Sequence, residues 1–175
     1  MRGRLVRARQ NMPLPNPKKN TRTPRRRARE FAVQGLYQWL LTGSNPHTVA
    51  QDIATLEGYD KSDRPMFDRL WKGAVAERDA IDTMLTPYLD RAPSALSPIE
   101  HAILLLASYE LKSMIETPYR VVINEAVELA KSFGGVDGHK YVNGVLDKMA
   151  AELRGPEVEH LRSERAARNA QQPEG

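Results

Sequence analysis

The chain has 175 residues, 41% hydrophobic and 27% charged, enough for one domain with a sizeable core and too few for two large ones. It has no cysteine, which excludes disulfides, thiolate metal sites and cysteine nucleophiles and fits a reducing cytoplasm. The net charge of +4 is unevenly placed: residues 1–29 carry 11 of the 26 Lys and Arg and none of the 22 Asp and Glu, so a basic arm precedes an acidic body and nucleic acid is the first anionic partner to expect.

Met1 to Arg22 has scattered basic residues, three prolines (Pro13, Pro15 and Pro17) and little periodicity, which predicts a disordered basic arm over 1–22. No apolar core follows its basic residues, so no secretory signal is read there, and no apolar run further on approaches a membrane span. A solubilising tail, or a start assigned too far upstream, is the alternative to a nucleic-acid-binding arm, and both stay open. Beyond it one signature recurs four times, a capping residue followed by proline: Thr23-Pro24, Asn45-Pro46, Ser97-Pro98 and Thr117-Pro118. Each precedes an amphipathic or apolar run and predicts a helix start.

The first helix is expected over Pro24 to Leu41, with Ala32, Leu36, Trp39 and Leu40 inward. A short second helix turns Val49, Ile53 and Leu56 inward and stops at Gly58. A third, Arg64 to Arg78, buries Phe67, Leu70, Trp71, Ala74 and Val75. A fourth buries Ile81, Met84, Leu85 and Tyr88, with Pro87 placed to kink it. The fifth, Pro98 to Glu116, is apolar on nearly every side, which predicts a position at the centre of its neighbours. Ser97 and Glu100 there have capping-box spacing.

The sixth helix starts at Thr117-Pro118 and carries the stripe Val122, Ala126, Leu129, Ala130 and Phe133. Gly134 and Gly135 end it, because a left-handed cap costs glycine little. The seventh, with Asp137 as its cap, has the stripe Val142, Val145, Leu146, Met149 and Leu153. Gly155-Pro156 closes the main domain, 23–154, and the charged remainder, 155–175, is expected to be a frayed helix or polar tail. No convincing strand alternation occurs, so the fold class is all-α, about seven helices with short connections that favour antiparallel packing.

Arg25, Arg26, Arg27 and Arg29 fall in the first two turns of the first helix, where the partial positive charge of the helix end disfavours them by about a few tenths of a kcal/mol each. Such a cluster needs an offsetting gain, and phosphate binding is the obvious one, since arginine forks onto phosphate and stacks on bases. Arg26, Glu30, Val33 and Tyr37 share a helix face, so Tyr37 is placed to add a stacking surface; packing of Tyr37 on the core is the alternative. Lys140 and Tyr141 pair a cation with an aromatic ring at the boundary of the seventh helix, which suits single-stranded RNA as well as it suits a half-buried core tyrosine.

The search for catalysis is negative. His47, His101, His139 and His160 are dispersed without metal-ligand spacing, and no Walker sequence occurs. The run Gly134-Gly135-Val136-Asp137-Gly138 joins two helices and follows no strand, which argues against a nucleotide loop. Carboxylate pairs such as Glu125 and Glu128 read as helix-surface charges, and Asn124 and Glu125 as solvated or hydrogen-bonded groups. No enzymatic activity, metal or cofactor is expected.

Four segments in unbroken order carry a resemblance: RRRAREFAVQGLYQW from Arg25, IEHAILLLASYEL from Ile99, PYRVVINEAVELAKSFG from Pro118 and DGHKYVNGVLDK from Asp137. Together they resemble the transcription antitermination factors of the NusB family, over roughly residues 24–154. The resemblance implies two small helical subdomains in one compact unit. It implies binding of boxA-type RNA from ribosomal RNA leaders through the arginine-rich N-terminus and the aromatic position at Tyr141. It also implies a heterodimer with the small-subunit ribosomal protein that doubles as NusE, with RNA polymerase and other Nus factors reached through that assembly, in the cytoplasm. Glu100 lies in a region that the resemblance makes a partner contact, and the Asp137 loop lies near the RNA and partner surface. A NusB-like domain of a ribosomal RNA cytosine methyltransferase and a purely protein-binding helical scaffold are the rival readings.

Overall fold

A computed structural model describes residues 22–133 and 137–171, and every regular element among them is helical. The α-helices are α1 (Pro24–Thr42), α2 (Pro46–Ala54), α3 (Arg64–Ala76), α4 (Arg78–Leu85), α5 (Pro98–Ser113), α6 (Tyr119–Phe133), α7 (Gly138–Leu153) and α8 (Gly155–Ala170). Single 3₁₀ turns fill the connections at Tyr59–Lys61, Thr86–Tyr88 and Pro93–Ala95. Residues 1–21 of the expected arm over 1–22, and the helix stop at Gly134 and Gly135, lie outside the described residues.

Side-chain caps start the first half of the fold. Thr23 Oγ1 accepts from Arg26 N at 3.1 Å, and Asn45 Oδ1 from His47 N at 2.9 Å. Ser97 Oγ accepts from Glu100 N at 3.3 Å, and Asp63, with its proline at the second helical position, caps α3 through Met66 N at 3.0 Å. Gly43 closes α1 at φ 62, a left-handed conformation in which a side chain would be strained. At α6 the cap comes from elsewhere: the Glu157 carboxylate on α8 accepts from Tyr119 N at 2.8 Å, and Thr117 Oγ1 accepts from Arg25 at 3.4 Å.

Helix α5 is the hub. Every residue from His101 to Leu111 is buried, and the helix packs on α1, α3, α4, α6 and α7. Helices α1 and α3 pack on it, with α2 against α1, and α6 and α7 pack on it and on each other, all around one core. Helix α1 is also more central than its pattern shows. Every residue from Ala28 to Leu36 is buried, Gln34 among them, because α2, α3 and α5 pack around it. Its expected inner residues Trp39 and Leu40 are only partly buried.

Two ends of the sequence reading are corrected. Helix α5 stops at Ser113, so Ile115 is 73% exposed, and Leu153 at the end of α7 is exposed as well. The charged segment after Arg154 is a sixteen-residue helix, held by buried Val158 and by Leu161 packed on the core.

Gly73 on α3 faces Tyr109 of α5 so closely that a β-carbon would fall on the Tyr109 ring. Alanine there gains about 1 kcal/mol of helix propensity, but the displaced ring costs more. Gly73→Ala is therefore expected to lower stability by about 2 kcal/mol net, or about 4–8 °C in Tm, in a thermal melt.

Candidate nucleic-acid interface

The four N-terminal arginines separate into two kinds. Arg25 is exposed, with one Nη2 contact to Thr117 Oγ1. Arg27 is half-buried and lines a shallow polar depression with Arg22, Glu57, Asp60 and Lys61. Arg26 instead forks onto Glu125, Nε to Oε2 at 3.0 Å and Nη2 to Oε1 at 2.8 Å. Those hydrogen bonds hold its guanidinium more firmly charged than usual. Arg29 is buried at 4% exposure and forks onto Glu110, Nε to Oε2 at 3.0 Å and Nη2 to Oε1 at 2.5 Å.

Arg29 therefore does not belong to a surface cluster. The gain that offsets cations at this helix start is partly intramolecular, from Glu110 and Glu125, and not phosphate alone. Glu125, read as a mere surface charge, is half of that arrangement. Glu30 is also buried, with Arg22 Nε 3.6 Å from its carboxylate; burial pushes its pKa up.

Tyr37 does not stand on an open face. Val33, on the same side of α1, is fully buried, and Tyr37 packs against the core.

The second group of expected residues gathers where α5 and α7 begin. Lys140 is exposed, 3.7 Å from the equally exposed Asp137 carboxylate. Asp137 occupies the cap position of α7 through its carbonyl, which accepts from Lys140 N, but its side chain makes no cap bond. Glu100 turns to the same place: a β-carbon on Gly138 would lie 3.1 Å from its Oε1. Tyr141 is half-buried, and its hydroxyl donates to Asp90 Oδ1 at 2.9 Å. Arg91 lies over its ring at 5.4 Å from the centroid and forks onto the same Asp90. Hydrogen bonds from Arg91 and then Tyr141 pull the Asp90 pKa down to about 2, and burial pushes the Tyr141 phenol up.

Asp90 and Arg91 are functional candidates that sequence reasoning missed. They sit in a connection, 51 residues before Tyr141, with no local pattern to mark them. The two groups are separate: Arg26 meets Glu125 midway along α6, and α7 begins beyond the end of that helix, roughly 12 Å further on.

Among the described residues no group of three His, Cys, Asp or Glu is placed to hold a metal, and no helix is long and apolar enough to cross a membrane. His101 makes a buried contact with Asp82 at 2.7 Å. That pair clamps α5 to α4.

The candidate surface is exposed Arg25 with half-buried Arg27, a tethered Tyr141 beside Lys140, and the Glu100–Asp137 edge. Known proteins resemble the chain over most of its length. The transcription antitermination protein NusB of Ralstonia nicotianae (strain ATCC BAA-1114 / GMI1000) is 54% identical over 142 residues, covering 81% of this chain and 92% of that protein. NusB of Azoarcus sp. (strain BH72) is 52% identical over 153 residues, 87% of this chain and 99% of the relative. Among solved structures, T. maritima NusB matches with a TM-score of 0.68 and 30% identity, over 79% of this chain and 99% of that one. NusB in a complex of the antitermination factors NusB and NusE with double-stranded RNA matches with a TM-score of 0.64 and 26% identity, over 72% of this chain and 95% of that one. A family model described as the NusB family matches residues 26–151. With a family model matching residues 26–151 and most of the chain aligned at about half identity, the chain belongs to the NusB family.

Proposed function

We propose that this chain is a transcription antitermination factor that acts in the cytoplasm by binding RNA as a heterodimer with the ribosomal protein NusE. The observation that carries the reading is the extent of the likeness: 54% identity across 92% of a NusB relative. The RNA is boxA-type sequence of ribosomal RNA leaders, and the heterodimer joins RNA polymerase and other Nus factors to suppress termination. The mechanism is assembly, with no bond made or broken.

On the RNA side the residues are Arg25 and Arg27, which are not tied into buried ion pairs, and Lys140 with Tyr141. Arg26 keeps one face to solvent and adds charge from within its Glu125 pair. Arginine forks supply salt-sensitive affinity, while unstacked bases held against aromatic and guanidinium planes supply selectivity. On the partner side, Glu100 and Asp137 present carboxylates at one edge, the kind of group a basic ribosomal protein meets.

The test is fluorescence anisotropy of a boxA-like RNA against a scrambled RNA of equal length, with and without NusE. Preference for boxA that tightens with NusE is expected. Arg25→Ala/Arg27→Ala should weaken binding about tenfold or more and lower the salt slope by about 1.4, two single-strand phosphate contacts' worth. Equal affinity for both RNAs, unchanged by NusE, would overturn the reading.

A further inference from the structure

All of helix α8 lies beyond residues 26–151, which the family model matches, yet it is anchored to the fold and closes a site. Between it and the start of α6 lies a cleft of about 230 Å³. Arg120, Asp147, Arg162 and Arg165 line it together with buried Tyr119 and Val158. Arg162 and Arg165 are three residues apart, so they project from one side of α8.

The charges do not cancel. Asp147 is 3.4 Å from Arg120, and the closest carboxylate to Arg162 is Glu159 at 3.9 Å. Arg165 makes no ion pair among the described residues. Glu157, the other acid at this end of α8, is already engaged by Arg154 and Tyr119 N. Arg120 stacks on the Tyr119 ring at 5.4 Å, and its Nε is buried without an acceptor. A guanidinium carbon over a ring, with one N–H unsatisfied, is prepared for an oxygen-rich anion. The volume is below the ~300 Å³ at which small-molecule pockets begin, so it suits a phosphate group and not a whole nucleotide.

We propose that this cleft binds a backbone phosphate of RNA, giving the chain a second RNA contact outside the N-terminal arginines. The proposal rests on the RNA-binding reading above. What points to RNA is continuity: Arg25 reaches Thr117, three residues before Arg120, so the outward α1 arginine and the cleft flank the same end of α6.

The experiment uses the full chain with NusE and a boxA-like RNA extended by several nucleotides at each end in turn. Arginine Nε–H resonances are followed by NMR, and affinity by anisotropy across salt. The expected result is that one extension shifts the Arg120 Nε–H signal. Arg162→Gln/Arg165→Gln, both exposed positions, should weaken that RNA about fivefold to tenfold and lower the salt slope by about 0.7, one single-strand phosphate contact's worth. Parent-like affinity and salt slope in that variant, with Arg25→Ala/Arg27→Ala still impaired, would overturn the cleft contact and leave the RNA reading intact. Inorganic phosphate is the second arm. If it shifts the Arg120 signal and RNA does not, the cleft takes free phosphate and the RNA contact is overturned. A parent chain that binds neither RNA overturns both.

Discussion

Glu110→Leu is expected to destabilise the protein by about 3–5 kcal/mol, lowering Tm by about 10 °C or more. Arg29 and Glu110 are side chains at 4% and 2% exposure, joined by two parallel hydrogen bonds between α1 and α5. Each ion lost several kcal/mol of hydration on entering the core, and their mutual fork is what offsets it. Without Glu110 the guanidinium stays buried, and arginine has no neutral form to fall back on. The nearest substitute is Glu125, whose Oε2 is 4.0 Å away and already engaged by Arg26.

The double variant Arg29→Met/Glu110→Leu removes both charges and should recover most of the loss, with a coupling energy of about 2 kcal/mol or more in urea unfolding. It should also bind RNA within about twofold of the parent, since Arg29 has no surface to offer; a phosphate contact would contribute far more through released counterions. Additive losses in the two single variants would remove the paired-charge account, and a large RNA defect in the stable double variant would return Arg29 to the RNA surface.

Arg154→Met is expected to cost about 3–4 kcal/mol. The guanidinium is 6% exposed and serves the end of α5 and the turn that follows it. Its Nε donates to Leu111 O at 2.7 Å, Nη2 to Met114 O at 3.2 Å, and both Nη atoms to Thr117 O at 3.2 Å. A helix leaves its last four carbonyls without partners, and no glycine cap follows Ser113, so this side chain replaces one. Nη1 also meets Glu157 at 2.6 Å, the carboxylate that caps α6. Removing Arg154 thus strands the Leu111 and Thr117 carbonyls, leaves Met114 O with Thr117 N alone, and frees the cap of a neighbouring helix. Amide exchange in α8 and the first turn of α6 should speed up before that of α5. Arg154→Lys should rescue little, because an ammonium cannot reach three carbonyls and a carboxylate from one fork. An unchanged denaturant midpoint in Arg154→Met would show that water serves those carbonyls equally well.

Much of the fold is legible along the chain because its signals are local. Thr23-Pro24, Asn45-Pro46 and Ser97-Pro98 each cap a helix at the position they mark. The apolar run in α5 reads as a central helix and is one. The lone acid in that run, Glu110, was a readable sign of a buried charge pair, though not of its partner. Less visible was α8, whose composition is that of a solvated tail. Only Val158 and Leu161 face inward, and the anchor that holds its start, Arg154, works through carbonyls that carry no sequence mark.

By itself the sequence determined the helical class, the starts of α1, α2 and α5 and the family, since spacing, caps and motif order are properties of neighbouring residues. Tertiary structure alone decided which arginines face outward. Arg25 and Arg29 belong to the same basic run, yet the partners that sort this run, Glu110 for Arg29 and Glu125 for Arg26, arrive from 81 and 99 residues away. The same holds for Tyr141, tethered by Asp90 from across the fold. Periodicity says which side of a helix turns inward, but the charge that meets it there is set by how α1, α5 and α6 pack, and that packing brings together residues no local pattern connects.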